Sequence, residues 1–212
     1  MIIFCDFDGT AAVNDVGRQF YHRFGNVRIC LQAVERWLND EISSRECFEI
    51  ESDTVSVTAP AFDAFCDQQP LSPGFVEFAG WCRQQQHDLV ILSDGMDYYI
   101  KRILQRYGLE LPFYSNQASL QPANRLKVSF PYYEHTCGKC ANCKRYQVRR
   151  LKPDGVRAVY IGDGYSDRCG AELADILFAK RDLARWCAQK EIAFHAFTDF
   201  YDILSQMQHL TS

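Results

Sequence analysis

Short apolar runs and longer stretches of helical spacing take turns along this chain. Residues 2–5, 89–92, 156–161, 176–179 and 194–197 are brief and rich in β-branched or aromatic side chains, the pattern of buried strands. Between them, apolar residues recur three and four positions apart, as on one face of a helix. Strands separated by helices predict an α/β fold with a mostly parallel sheet. Three of the strands run directly into polar residues: Asp6 and Asp8, Ser93 and Asp94, and Asp163. In open α/β sheets ligands bind beyond the carboxyl ends of strands, so these three ends should converge.

From Thr10 to about Leu71 the strand signal fades and helical spacing dominates. Phe20 and Phe24, then Cys30, Val34, Trp37 and Leu38, repeat at helical intervals. Ser43-Ser44-Arg45-Glu46 has the form of a capping box, and Thr58 followed by Pro60 opens another helix. These could be four ordinary helices. Their position just after the first polar strand end favours an inserted all-helical cap over the site. The chain then divides into a core of residues 1–12 and 72–212 and a cap of residues 13–71. Ser72-Pro73 is expected to cap the helix that carries Phe75, Phe78, Ala79 and Cys82. Two short β-like runs around Pro122-Ala123-Asn124 predict a hairpin excursion from the main sheet.

Composition narrows the range of functions. With 212 residues, 47 % of them apolar, the chain can bury one full core. A net charge of −4 lends no support to non-specific binding of nucleic acid or an anionic membrane, so a small soluble ligand is the expected partner. The N-terminal apolar stretch has no basic flank and meets an acid after five residues. It reads as neither signal peptide nor membrane span, and a cytoplasmic location is expected. Of ten cysteines, seven are scattered through apolar patterns as buried, reduced thiols would be. Only Cys137, Cys140 and Cys143 cluster.

The chemistry begins at Asp6-Phe7-Asp8-Gly9-Thr10. Carboxylates two residues apart at a strand end point the same way, while Phe7 faces the opposite side. Asp6 can act as a nucleophile toward phosphorus, splitting hydrolysis into two displacements. Asp8 can protonate the leaving alkoxide and then activate water. Asp163, Asp6 and the Asp8 backbone carbonyl form an all-oxygen set suited to Mg²⁺, with Asp167 ligating through water, orienting Lys144, or serving only as a helix N-terminal acid. Ser93, with Asp94-Gly95 turning the backbone into the next helix, can hold phosphate oxygens, although a plain N-cap serine fits equally well. Lys144 opens a helix with Val148 and Leu151 and can neutralise nucleophile and phosphate; Lys139 competes for that role.

Asp6, Asp8, Gly9-Thr10, Ser93, Lys144 and Gly162-Asp163-Gly164-Tyr165-Ser166-Asp167 occur in the order of the four motifs of the haloacid dehalogenase superfamily, which this chain resembles over almost its whole length. The resemblance implies a Rossmann-like core and a phosphoric monoester hydrolase. Retention of Asp8 points to phosphoryl transfer, since the dehalogenase and ion-pump branches lack that acid. The early helical insertion resembles the phosphoserine phosphatase-like branch. Ser93-Asp94-Gly95-Met96-Asp97, Cys143-Lys144 and the segment from Gly162 to Asp175 look most like the 2-hydroxy-3-keto-5-methylthiopentenyl-1-phosphate phosphatases of methionine salvage. A metal- or partner-binding protein on a retained fold is the non-enzymatic alternative, although such a module need not keep all these residues.

Residues 135–144 also resemble a His-x-Cys-x-x-Cys…Cys-Lys stretch of phosphoethanolamine/phosphocholine phosphatases. His135, Cys137, Cys140 and Cys143 are four ligand types within nine residues and could hold a structural Zn²⁺, or simply line a tight loop. For the substrate, the phosphoserine phosphatase likeness implies an acid near Asp15 to engage an amino group and an arginine on the third cap helix to grip a carboxylate. Here that helix is acid-rich and Glu51 takes the arginine's place, with Arg45 or Arg36 as nearby substitutes. Loss of a bidentate carboxylate clamp weakens phosphoserine as substrate and favours a neutral or cationic ester.

Overall fold

The computed structural model describes residues 1–210. Seven strands form one sheet in the order β4-β3-β2-β1-β5-β6-β7. They are β1 (Ile2–Cys5), β2 (Asp88–Met96), β3 (Phe113–Gln121), β4 (Arg125–Ser129), β5 (Ala158–Gly162), β6 (Ile176–Ala179) and β7 (His195–Ala196). All pairs are parallel except β3 with β4. The fold is therefore α/β with a mostly parallel sheet.

β1 sits at the centre, and its side chains alternate between two hydrophobic layers. Ile3 and Cys5 join Ile91, Ile161 and Phe178 on one face, beneath α5 (Phe75–Gln84), α6 (Asp97–Arg106) and α10 (Phe200–Leu210). Ile2 and Phe4 join Val90, Leu92, Tyr160 and Leu177 on the other, against α7 (Lys144–Leu151), α8 (Arg168–Ala171) and α9 (Arg181–Gln189). Coverage on both faces is why β1 is apolar at every position instead of alternating. Truncating fully buried Phe4 to alanine would cost about 3–5 kcal/mol.

The register places the three polar strand ends together. Cys5 lies opposite Ile91 on β2 and Ile161 on β5, so Asp6, Ser93 and Asp163 leave adjacent strands at nearly the same height. Four helices separate β1 from α5: α1 (Val16–Phe24), α2 (Val27–Leu38), α3 (Ser44–Asp53) and α4 (Ala59–Asp67). The chain enters and leaves this segment side by side, where Ala12 bridges Leu71 and the Ser72 N–H donates to the Ala11 carbonyl at 2.8 Å. Ser43 caps α3 in a reciprocal capping box with Glu46, and Thr58 caps α4.

Two local expectations need correction. α5 is entered through Gly74, whose φ of +78° is left-handed, and Ser72 makes no side-chain cap there. The 122–124 turn does join a hairpin, but β3 also pairs in parallel with β2, so the hairpin extends the main sheet instead of leaving it. The α2 pattern also behaves differently from a core stripe. Cys30 and Ala33 are buried, whereas Val34, Trp37 and Leu38 line a cavity beside the strand ends.

Candidate active site

The turn after β1 builds the site's floor. Its N–H groups reach back five residues, Ala11 to the Asp6 carbonyl (3.2 Å) and Ala12 to that of Phe7 (2.8 Å). Gly9 within it has φ +78°, and a β-carbon there would stand 2.6 Å from Asp163 Oδ2. A glycine is required by conformation and by space at once. Gly95 is required by space alone, since a β-carbon would meet the Tyr99 hydroxyl and Asp8 Oδ2.

Asp6 is buried at the end of β1 and faces Lys144. The Lys144 ammonium, fully buried at the first residue of α7, bonds Asp6 Oδ1 at 2.5 Å, Asp167 Oδ1 at 2.6 Å and Ser166 Oγ at 3.2 Å. Burial alone would lower the lysine's pKa, but the carboxylates of Asp167 and Asp6 outweigh it and hold the ammonium charged. Burial pushes the Asp6 carboxyl well up and Asp167 adds to this, while Lys144 opposes. Lys139, the competing lysine, is exposed and pairs with Asp40.

Asp8 occupies a different environment. Its Oδ1 accepts the N–H groups of Val16 (3.0 Å) and Gly17 (3.1 Å) at the start of α1, which would otherwise be unpaired helix-end donors. Its Oδ2 accepts the hydroxyls of Ser93 (3.0 Å) and Tyr99 (2.8 Å). Burial, then the charge of Asp15, raises Asp8 to about 7, against the pull of these donors. The two acids therefore differ in kind: Asp6 is matched with a cation, whereas Asp8 is poised to gain or lose a proton near neutrality.

Asp163 accepts the Thr10 hydroxyl at 3.1 Å and the Arg181 guanidinium at 3.0 Å. One carboxylate oxygen from each of Asp6, Asp163 and Asp167 lies within 4.8 Å of the others. Among the described residues, Asp6, Asp8, Asp163 and Asp167 form ion pairs only with Lys144 and Arg181, an excess of hard anionic oxygens that fits a small divalent cation such as Mg²⁺. Asp167 is also heavily hydrogen-bonded. Its Oδ1 accepts from Lys144 and the Tyr160 hydroxyl, and its Oδ2 from the N–H groups of Asp163 and Gly164. These contacts orient Lys144, while the Asp167 carboxylate also stands within reach of a cation shared with Asp6 and Asp163.

Asp94 lines the cavity beside Asp6 and Asp8, and its carboxylate accepts the Ser44 hydroxyl (2.6 Å) on α3 and the Asn142 N–H (2.6 Å), so it also ties helix to loop. Ser93 is not a helix cap: β2 continues to Met96, and the Gly95 N–H donates to the Ser93 oxygen at 2.8 Å. His135 does not join the cysteines but stacks on Tyr146, ring centroids 4.9 Å apart. Cys169 takes its place in the cluster with Cys137, Cys140 and Cys143.

A cavity of about 510 Å³ opens between the strand ends and the helical segment. Asp15 caps α1 by accepting the Arg18 N–H at 2.9 Å and lines this cavity. Glu51 lines it too, buried, and is raised to about 8 by burial and the charge of Asp15. Leu31, Val34, Trp37 and Leu38 form an apolar wall. Arg45 and Arg36 are not clamp residues. Arg45 pairs with Glu49 over the Tyr133 ring, and Arg36 pairs with Glu41.

Tyr99, Tyr160 and Arg181 were invisible as site residues in the sequence. Each acts through a contact between distant segments, and no spacing rule marks it. Cys169 carried one weak signal, its position two residues beyond Asp167.

Comparison with known proteins accords with this geometry. The family model described as "Putative Phosphatase" matches residues 1–198. A 2-hydroxy-3-keto-5-methylthiopentenyl-1-phosphate phosphatase of Brevibacillus brevis is 28 % identical over 217 residues, covering 99 % of this chain and 96 % of the relative. The polyol phosphate phosphatase PYP1 of Saccharomyces cerevisiae is 29 % identical, covering 99 % and 93 %. Among solved structures, a phosphoserine phosphatase in a phospho-aspartyl intermediate analogue form superposes with a TM-score of 0.74 at 14 % identity, covering 97 % of both chains. A haloacid dehalogenase family hydrolase of Salmonella enterica serovar Typhi gives 0.74 at 20 % identity, covering 94 % of this chain and 68 % of that one. The relatives make this chain a phosphatase and set aside the non-enzymatic alternative. The chain belongs to the Putative Phosphatase family and has the haloacid dehalogenase fold.

Proposed function

We propose that this phosphatase is a Mg²⁺-dependent phosphomonoesterase that works through an aspartyl-phosphate on Asp6. The observation that carries this reading is the pairing of Asp6 with buried, charged Lys144 beside an Asp8 held near 7. Asp6 attacks phosphorus, and protonated Asp8 gives its proton to the leaving oxygen. Asp8, now ionised, takes a proton from the water that cleaves the acyl phosphate, which restores both acids. Lys144 offsets charge on the nucleophile and the phosphoryl oxygens, and Ser93 supplies a hydroxyl beside them. A divalent cation held by Asp6, Asp163 and the Asp8 carbonyl would lower the repulsion between carboxylate and phosphate.

The helical segment from residue 13 to 71 acts as the cap and selects the substrate. Its apolar wall suits a short thioether or alkyl tail, and Asp15 and Glu51 suit hydroxyl donors. This favours 2-hydroxy-3-keto-5-methylthiopentenyl-1-phosphate or a close analogue, the substrate in the names of several relatives. A cationic ester such as phosphocholine or phosphoethanolamine is the second reading, favoured by the same two acids beside Trp37 and Phe48.

A panel of these esters, a polyol phosphate and phosphoserine, assayed with Mg²⁺, tests the proposal. Hydrolysis of the thioether substrate with the highest kcat/KM is expected, with turnover abolished in a folded Asp6→Asn variant. Full activity of Asp6→Asn, or no turnover of any ester, would overturn it.

A further inference from the structure

Four cysteines from two distant segments meet beside the site, outside the chemistry described above. Cys137, Cys140 and Cys143 come from the loop before α7, and Cys169 from the start of α8. One sulfur from each lies within 4.8 Å of all the others, with Cys137 and Cys140 at 3.5 Å. All are free thiols. A tetrahedron of sulfurs about 2.3 Å from a zinc ion has edges of about 3.8 Å, so the cluster is already close to the size of a tetrathiolate site.

The loop itself needs such a centre. Residues 136–143 contain no helix or strand, and the side-chain bonds found within them are Gly138 N–H to Thr136 Oγ1 and the Cys137–Cys140 thiol contact. Yet the loop holds fixed positions on three elements. Ser44 N–H donates to the Lys139 carbonyl and Ala141 N–H to Ser44 Oγ, both at 2.8 Å. Asn142 donates from its side chain to the carbonyls of Ser93 (2.8 Å) and Tyr114 (2.9 Å). An irregular segment with so little internal bonding does not hold that many partners in register unless something fixes it.

We infer that Cys137, Cys140, Cys143 and Cys169 bind one structural zinc ion that cross-links the loop to α8 and so fixes the Lys144–Asp167 ion pair of the site. Cys143 directly precedes Lys144, and Cys169 lies two residues after Asp167, to which Lys144 is bonded. The ion thus joins the bases of both arms of the Lys144–Asp167 pair. Each thiol gives up its proton on binding, and the closed four-sulfur set leaves no position for substrate. The cysteines are positioning residues.

The full-length chain, produced with zinc supplied and purified under reducing conditions without chelator, should contain one zinc ion by elemental analysis. Cobalt exchange should give thiolate-to-metal charge-transfer and tetrahedral d–d bands. Cys169→Ser should lose the zinc and those bands and lower Tm by about 5 °C or more, while His135→Ala and Cys66→Ser keep one ion per chain. Turnover of an aryl phosphate should fall in Cys169→Ser in parallel with the metal. If Cys169→Ser does not fold, zinc content and the cobalt spectrum of the parent chain decide alone. Well under one zinc per chain after reconstitution, a Cys137–Cys140 disulfide in the fresh protein, or full zinc retention by Cys169→Ser would each overturn the inference.

Discussion

Removing the Tyr99 hydroxyl should move the basic limb of the pH–rate profile upward. The hydroxyl donates to Asp8 Oδ2 at 2.8 Å, one of the donors that hold Asp8 down to about 7 against burial. Tyr99→Phe deletes that donor and keeps the ring, which packs 6.0 Å from Phe7 and is fully buried. A hydrogen bond to a charged group is worth about 1.5–3 kcal/mol, or roughly one to two pKa units. Asp8 should then titrate at about 8 or above. Cleavage of an alkyl phosphate needs Asp8 protonated, so kcat/KM should fall above about pH 7 in the parent enzyme and only above about pH 8 in Tyr99→Phe. The assay is kcat/KM against pH at saturating Mg²⁺, for an alkyl ester and for an aryl ester whose leaving group needs no proton. The limb should be marked for the alkyl ester and weak for the aryl one. A limb displaced by less than about 0.3 unit, or displaced downward, would refute the assignment of Asp8 as the acid.

Lys144→Met should cost about 3–5 kcal/mol of stability in denaturant titration, because Asp6 and Asp167 remain buried without their cation, and should lower kcat by about a hundredfold or more. Folded Asp8 (about 7) and Glu51 (about 8) hold protons at pH values where the unfolded chain's acids, near 4, have lost them. The folded state then binds more protons than the unfolded between roughly pH 4 and 8, so the Tm of the metal-free protein should be higher at pH 6 than at pH 8.5. A flat or rising profile across that range would count against the burial of these acids. Gly9→Ala should weaken Mg²⁺ binding by calorimetry and cost about 1–2 kcal/mol, since the residue must hold φ +78° with its β-carbon against Asp163. Glu51→Gln should leave kcat for an aryl phosphate within about twofold while lowering kcat/KM for a cationic ester, and an equal loss on both substrates would move Glu51 out of the specificity wall.

Much of the candidate site was legible in the chain because its residues sit at strand ends, and strand ends are visible as an apolar run that stops. Asp6, Ser93 and Asp163 each follow such a run, and parallel register brings them together once β1 lies between β2 and β5. The capping box at Ser43 and the Thr58 cap were legible for a similar reason: both involve residues three apart that bond within one turn. What the chain does not display is which distant partner each site residue meets. Asp94 reads as part of a phosphate loop, and only the fold shows that Ser44, fifty positions away, bonds its carboxylate. Asp167 reads as a metal ligand or a partner of Lys144, and only the fold shows Lys144, Tyr160 and two backbone N–H groups on its oxygens with Asp6 and Asp163 close by.

The sequence by itself determined the α/β fold, the order of the strands and helices, and the carboxylate pair Asp6 and Asp8 after the first strand, because these depend on local periodicity and on residues within one turn of a strand end. The tertiary structure decided which acid keeps a proton near neutral pH, what faces the substrate, and which four sulfurs meet. Those outcomes depend on burial and on distances of a few ångströms between segments up to 153 residues apart. Electrostatic energies and coordination change steeply over such distances, and no pattern within a single segment encodes them.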